Sequence, residues 1–149
     1  MLSKKTKYAL RALLLLAREH GSGPILISSL AQRESIPKKF LESILLDLKH
    51  QGILQSKKGR GGGYHLARAP KVIYLGQVIR TLDGPLAPLP CASQTAYVKC
   101  EECTDEATCG IRIVMRQVRD ATARILDGTN LADVLTRVER AGKRRRTAG

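Results

Sequence analysis

Aromatic residues are scarce in this sequence, which contains one Phe, four Tyr and no Trp among 149 residues. Apolar residues still make up 43% of the chain, so a core can form, but from aliphatic side chains, which favours helices. Long apolar runs are absent too, because Arg11 and Arg18 interrupt the most apolar segment, whereas a membrane span requires roughly 20 apolar residues. We therefore expect no signal peptide, no membrane segment and a cytoplasmic location.

Acidic residues are also few, with 13 Asp and Glu against 26 Lys and Arg, for a net charge of +13. Residues 1–70 contain 13 basic and 4 acidic residues, whereas residues 71–139 contain 8 and 9, and residues 140–149 add five more cations. Clustered cations gain free energy when they release the counterions condensed on phosphates. The charge pattern therefore predicts that the first half of the chain binds nucleic acid.

The first half is predicted to contain three helices followed by a β-hairpin. The predicted elements are helices at residues 4–20, 28–33 and 37–51 and strands at 53–56 and 64–66. Gly21, Gly23 and Pro24 end the first helix, and Pro37 suits the first position of the third. A basic, glycine-rich turn joins the two strands, and this order of elements predicts a winged helix-turn-helix.

Candidate DNA contacts lie on the third helix, the wing and the start of the first helix. A recognition helix enters the major groove by its N-terminal end, where polar side chains reach base edges and nearby cations reach phosphates. The candidates are Lys38, Lys39, Glu42 and Ser43 on the helix, Lys57, Lys58, Arg60, Gly61, Gly62 and Tyr64 on the wing, and Lys4 and Lys5 before them. On an isolated helix such residues would indicate only a solvated face, but the neighbouring wing favours DNA binding.

The second half is predicted to place a long loop between helices. The predicted helices lie at 75–82 and 110–126, followed by a short one that Thr129 caps and that ends at Val138. Apolar residues of the helix at 110–126 recur in steps of four and three, which is typical of a helix that packs against a partner helix. These residues are Ile111, Met115, Val118, Thr122 and Ile125. The basic tail 140–149 is predicted to be disordered, either as a DNA contact or as a solvated end.

Four segments in this order resemble the Rrf-two family of winged-helix transcription regulators, which includes the iron–sulfur regulators IscR and NsrR. They are LSKKTKYALRALLLL at 2–16, IPKKFLESIL at 36–45, KGRGGGYHLAR at 58–68 and LGQVIRTLDGPLAP at 75–88. The resemblance implies a mainly α fold with a small β-hairpin wing and a long C-terminal dimerisation helix. It also implies a homodimer that binds a palindromic DNA operator, as a repressor.

The predicted organisation is accordingly a DNA-binding domain at 1–70, a cysteine loop with the dimerisation helix at 71–139, and the basic tail at 140–149. The loop has the spacing Cys91-x8-Cys100-x2-Cys103-x5-Cys109. Cytoplasmic cysteines are thiols or metal ligands more often than disulfides, and thiolates suit iron–sulfur clusters and zinc. The resemblance implies that Cys91, Cys103 and Cys109 hold an iron–sulfur cluster, [2Fe–2S] in preference to [4Fe–4S], with Cys100 as an alternative ligand. Arg112 occupies the position where one branch of the family supplies His.

Three other interpretations of the cysteines remain open at this point. They are a structural zinc site, a loop of redox-sensitive thiols, and a regulator that has lost its cluster and responds to a partner protein. A nucleophilic cysteine would need a histidine base, but His20, His50 and His65 all lie in the winged half. We therefore do not expect an enzyme.

Overall fold

We describe residues 2–149 in a computed structural model of the chain. The helices are α1 (Lys4–Arg18), α2 (Ile27–Glu34), α3 (Lys38–His50), α4 (Leu75–Asp83), α5 (Gly110–Asp127) and α6 (Leu131–Thr147), and the strands are β1 (Leu54–Lys57) and β2 (Gly63–Leu66). The fold is mainly α with one two-stranded antiparallel sheet, which confirms the predicted class. No helix within residues 2–149 is long and apolar enough to cross a bilayer.

The core is aliphatic, as the composition predicts, and α1 and α3 contribute much of it, with further side chains from α2, the hairpin, α4 and α6. Its largest fully buried side chains on α1 and α3 are Leu13, Leu41, Ile44, Leu45 and Leu48. Phe40 was expected on the same apolar face, but it is 37% exposed and meets Tyr8 edge to face, with ring centroids 5.7 Å apart. The only phenylalanine therefore lies at the rim of the core rather than inside it.

The wing is tied to the segment before α2 as well as to itself. β1 pairs with β2 in a register that runs from Leu54 opposite Leu66 to Lys57 opposite Gly63. Beyond that pair, Ile25 and Tyr64 exchange two backbone hydrogen bonds, with N to O distances of 2.9 and 2.8 Å. This additional bridge holds the hairpin against the helix-turn-helix.

The turn between α5 and α6 is anchored to the start of α4. The Leu75 amide donates to the Thr129 carbonyl, and the Leu131 amide donates to the Ile73 carbonyl, each at 3.0 Å. Asn130 rather than Thr129 caps α6, in a reciprocal capping box with Asp133. Thr129 is buried and donates its hydroxyl to the Ile125 carbonyl at 2.7 Å, so it cannot serve as the predicted cap.

A further departure from prediction is the length of α6. A short helix ending at Val138 and a disordered tail at 140–149 were expected, whereas α6 continues to Thr147. No proline interrupts this segment, and the cations Arg144, Arg145 and Arg146 lie in the last turn. Positive charge there interacts favourably with the negative end of the helix dipole, which explains why a basic tail can remain helical.

Candidate DNA interface and cysteine loop

The four predicted base-reading residues, Lys38, Lys39, Glu42 and Ser43, are all exposed in the first two turns of α3. Two of them share a groove of about 330 Å³ with residues of the wing and of the N-terminal end of α2. Its lining includes Lys38, Glu42, Lys57 and Tyr64. The fold therefore brings two of the predicted helix residues and two of the predicted wing residues together in one groove, whose lining does not include the other predicted contacts.

The backbone conformation and close contacts of the wing turn explain why glycine occupies positions 61–63. Gly61 adopts a left-handed φ of 72°, with open space around its Cα. A Cβ on Gly62 would lie 2.3 Å from the Lys57 carbonyl oxygen, and a Cβ on Gly63 would lie 2.3 Å from that of Ile25. The geometry of the turn alone therefore requires glycine at positions 62 and 63.

The start of α1 is less free to contact phosphates than the sequence suggests. Lys4 is exposed, with its Nζ 5.6 Å from the centre of the Tyr8 ring. In contrast, Lys5 Nζ donates to Asp47 Oδ2 at 2.6 Å, and Thr6 is fully buried. Of these three residues, Lys4 is the one available to a phosphate without breaking a salt bridge or leaving the core.

The four cysteines lie at different points around the loop rather than in one cluster. Cys91 lies in a 3₁₀ turn at Pro90–Ala92, the Cys103 amide donates to the Cys100 carbonyl, and Cys109 immediately precedes α5. Cys100 is exposed and the other three are partly buried. Within residues 2–149, no three Cys, His, Asp or Glu side chains are close enough to share a metal ion. The donor chemistry suits a cluster, and the loop would have to bring these thiols together in order to bind one.

The local electrostatics of the loop favour a protonated thiol at Cys103. Partial burial, together with the nearby Cys109 and Glu106 groups, raises the pKa of the Cys103 thiol above its ordinary value. Since the thiolate is the form that binds metals and reacts with oxidants, Cys103 in this arrangement is less reactive than a solvent-exposed cysteine at neutral pH.

Two arginines of α5 hold the cysteine loop, and sequence reasoning missed this role. Arg112 Nε donates to the Cys91 carbonyl at 2.9 Å, and the buried Arg119 donates from Nη1 to the Ala92 carbonyl. The seven-residue spacing, which puts both arginines on one face of a helix, was the available signal. Arg112 thus fastens the backbone beside a predicted ligand.

A second contact that the sequence did not predict joins α4 to α5. Arg80 and Asp127 form a two-pronged ion pair with N to O distances of 2.7 and 2.8 Å, and Arg80 holds the pKa of Asp127 below its ordinary value. A Cβ on Gly76 would lie 1.9 Å from Asp127 Oδ1, so glycine leaves space for the pair. These residues are distant in sequence, and no local pattern reveals the contact.

The outer face of α5 is apolar and exposed within the single chain. Ile111 is 67% exposed and Ile125 58%, and Val118 is also exposed, in agreement with three of the five predicted seam residues. Val114, which was not predicted, is exposed as well, whereas Thr122 turns inward and lines a cavity between α4 and α5. The exposed stripe is therefore centred slightly to one side of the predicted seam.

A helix-turn-helix with an antiparallel wing defines the chain as a winged-helix transcription regulator. The profile of the Rrf2 (Rrf-two) family, described as an iron-dependent transcriptional regulator, matches residues 2–137. The chain belongs to this family, which confirms the resemblance drawn from its motifs.

Relatives of known name are similar over almost the whole chain. An Rrf2-like HTH-type transcriptional regulator of Rhodobacter capsulatus is 43% identical, over 96% of this chain and 97% of the relative. The structure of CymR (YrzC), the global cysteine regulator of B. subtilis, matches with a TM-score of 0.76 and 32% identity, over 91% and 96% of the two chains. T. potens IscR matches with a TM-score of 0.74 and 30% identity, over 95% and 90%.

These relatives are regulators, and the chain is a transcription regulator rather than an enzyme. The histidines agree with this conclusion. His20 and His50 are exposed, and His65 Nε2 lies 3.2 Å from Gln55 Oε1 across the hairpin. None of them belongs to the cysteine loop.

Proposed function

We propose that this regulator is a cytosolic homodimer that represses transcription from a palindromic operator and whose DNA affinity responds to the state of its cysteine loop. The observation that carries the proposal is the pair of hydrogen bonds from Arg112 and Arg119 to the loop backbone at Cys91 and Ala92. Because of these bonds, a chemical change that moves the loop also acts on α5.

The proposed DNA contacts follow the groove between α3 and the wing. Lys38, Lys39, Glu42 and Ser43 would read base edges, since they occupy the exposed N-terminal end of α3. Wing residues would bind the backbone and the adjacent groove: Lys57, Lys58, Arg60, Gly61, Gly62 and Tyr64. Lys4 would add a phosphate contact, and Lys5 would do so only by leaving Asp47.

The dimer is proposed to form through the outer face of α5. Exposed Ile111, Val114, Val118 and Ile125 leave an apolar stripe in water, and burying such a stripe against a second copy gains free energy in proportion to its apolar area. A twofold dimer presents two α3 helices, which suits a palindromic site with one half-site for each subunit. Moving the two α5 helices would change the spacing between the α3 helices and hence the affinity.

The cysteine loop is proposed as the sensor, with Cys91, Cys103 and Cys109 as the residues that would hold an iron–sulfur cluster and Cys100 as an alternative ligand. The match to a family described as iron-dependent and the likeness to T. potens IscR support this assignment, with [2Fe–2S] preferred. The second candidate is a thiol- or partner-regulated protein without a cluster, or with structural zinc. The form of this candidate without any metal is favoured by the separation of the thiols and by the likeness to CymR.

The experiment that separates these candidates starts from anaerobically purified full-length protein. Iron, zinc and acid-labile sulfide are measured, and a visible spectrum is recorded. The protein is also used to select the duplexes that it binds from a random-sequence library. We expect iron and sulfide together and a visible chromophore, all reduced in Cys91→Ser. Thr104→Ala, at an exposed position of the same loop that has no proposed ligand role, is the matched control.

The affinities of the wild type and of Cys91→Ser for the selected duplex test whether the cysteine loop controls DNA binding. We expect Cys91→Ser to bind that duplex differently from the wild type. Equal affinity of both proteins, with and without metal, would overturn cysteine sensing, and zinc without sulfide would favour the second candidate. Failure to select any duplex would overturn the DNA-binding function itself.

A further inference from the structure

The C-terminal half of α6 is a strongly basic helix that the winged-helix site does not use. From Thr136 onwards every residue of α6 is exposed, and the only acidic residue in this part is Glu139. At 1.5 Å per residue, the exposed part is about 18 Å long. It carries six cations: Arg137, Arg140, Lys143, Arg144, Arg145 and Arg146.

Three of these cations lie on the side of α6 opposite its apolar residues. Arg137, Arg140 and Arg144 are spaced by three and four residues, so they form one stripe along the helix. Leu131 and Leu135 project from the other side of the helix, where Leu131 is fully buried and Leu135 packs against the core. The basic stripe therefore faces away from the body of the protein.

We infer that α6 is a second DNA-binding element, whose Arg137, Arg140 and Arg144 stripe contacts duplex phosphates beyond those reached by α3 and the wing. The inference rests on the proposed DNA-binding function. The stripe consists of arginines, whose planar guanidinium groups suit phosphate oxygens. The first part of α6 packs on α1 and on the 3₁₀ turn at Pro70–Val72, so this stripe extends directly from the winged domain.

A lipid surface fits this helix less well than DNA does. A helix that lies on a membrane needs a free apolar face opposite its cations. Here the residues of that face, Leu131 and Leu135, already pack within the protein, and Val138, 52% exposed, is the large apolar side chain that α6 leaves exposed. Membrane binding is accordingly an outcome that the test must separate from DNA binding.

The test measures the salt dependence of binding to a labelled random-sequence duplex of about 40 base pairs, between about 50 and 200 mM salt. The stripe variant is R137Q/R140Q/R144Q. The matched control, R18Q/R68Q/R116Q, removes the same three charges from exposed arginines elsewhere in the chain. Circular dichroism establishes that both variants keep the helical content of the wild type.

We expect the stripe variant to lower the slope of log affinity against log salt by about 2 to 3 for each subunit that contacts the duplex, because each lost phosphate contact contributes about 0.9. The control should change the slope by less than about 1, since it alters only the overall charge. Equal slopes for the two variants would overturn the inference. So would a stripe variant that loses binding to phosphatidylserine vesicles but keeps the wild-type slope on DNA.

A third variant distinguishes a failure of the α6 inference from a failure of the proposed winged-helix function. K57Q/K58Q/R60Q removes the cations of the wing and leaves α6 intact. If it loses affinity while the stripe variant matches the control, the winged-helix function stands and the α6 inference fails. If it binds as the wild type does, the proposed role of the wing fails whatever α6 does.

Discussion

Individual residues in this chain often serve the fold and the site together, and the wing glycines show how the two roles can be separated. Gly61 lies in open space with a left-handed φ, whereas Gly63 faces the backbone of Ile25. Glu42, in contrast, belongs to the candidate site alone. It is exposed in the groove beside the wing, so it can be changed without disturbing the core.

Substituting the wing glycines by alanine is expected to lower stability by different amounts at the two positions. Gly61→Ala should lower the free energy of unfolding by about 1 kcal/mol, the cost of a left-handed conformation. Gly63→Ala should cost about 3 kcal/mol, because the added Cβ collides with a backbone carbonyl and forces the wing to move. Urea unfolding followed by circular dichroism measures both. Equal losses would show that the bridge between Ile25 and Tyr64 does not constrain the wing.

Glu42 predicts a change in specificity without a change in stability. Glu42→Ala should relax the preference at one base pair of each half-site by about 1 to 3 kcal/mol, the range for a direct base contact. Competition among duplexes that each carry one altered base pair measures it. Lys49→Ala, at the other end of the same helix, is the control and should leave the preference unchanged. A uniform loss across all duplexes would instead indicate a backbone contact.

At the scale of elements, the contacts between α4, α5 and α6 decide how the two halves of the chain are joined. The turn before α6 is fastened to the start of α4 by backbone hydrogen bonds, and the Arg80–Asp127 pair fastens the end of α5. Arg112 in the first turn of α5 and Arg119 in its middle hold the loop. Changes in the loop therefore act on the part of α5 that precedes its contact with α4.

The Arg80–Asp127 pair predicts a pH dependence of stability. Since the folded-state pKa of Asp127 is lowered, the pair stabilises the fold above the unfolded-state pKa near 3.9 and loses that effect as pH falls through the folded-state value. Both side chains are about a third or more exposed, so the contribution is at most about 1 kcal/mol.

Asp127→Asn should accordingly lower stability at pH 7 and reduce the loss between pH 5 and 3. Urea unfolding at several pH values measures this effect. Glu139→Gln, at an exposed carboxylate of α6, is the control. The prediction is wrong if both variants follow the wild-type pH profile.

For the whole molecule, the exposed α5 face predicts that assembly and DNA affinity are coupled. Val118→Glu places a charge in the apolar stripe and should raise the dimer dissociation constant at least about tenfold, which corresponds to about 1.4 kcal/mol. Analytical ultracentrifugation measures the dissociation constant, and anisotropy with a selected palindromic duplex measures the affinity. Gln51→Glu introduces the same charge at an exposed position of the winged half. A Val118→Glu protein that remains dimeric would place the interface elsewhere.

Much of the fold could be predicted because its signals are local. The breakers after α1, the apolar spacing of α3 and the glycine-rich wing each depend on neighbouring residues, and their predicted positions agree with the structure within a few residues. The end of α6 could not be predicted in the same way. Its basic composition is typical of a solvated tail, yet the capping box at Asn130 and Asp133 starts a helix that the terminal cations can stabilise.

The sequence by itself determined the family, the winged helix and the surface that carries the candidate DNA contacts, because side-chain periodicity and charge act over a few residues. Only the tertiary structure decided how the cysteine loop is held, which seam residues turn inward and which lysine is paired. Arg112 with Cys91 and Lys5 with Asp47 lie far apart along the chain. Their pairing depends on how the helices pack, and no local pattern contains that information.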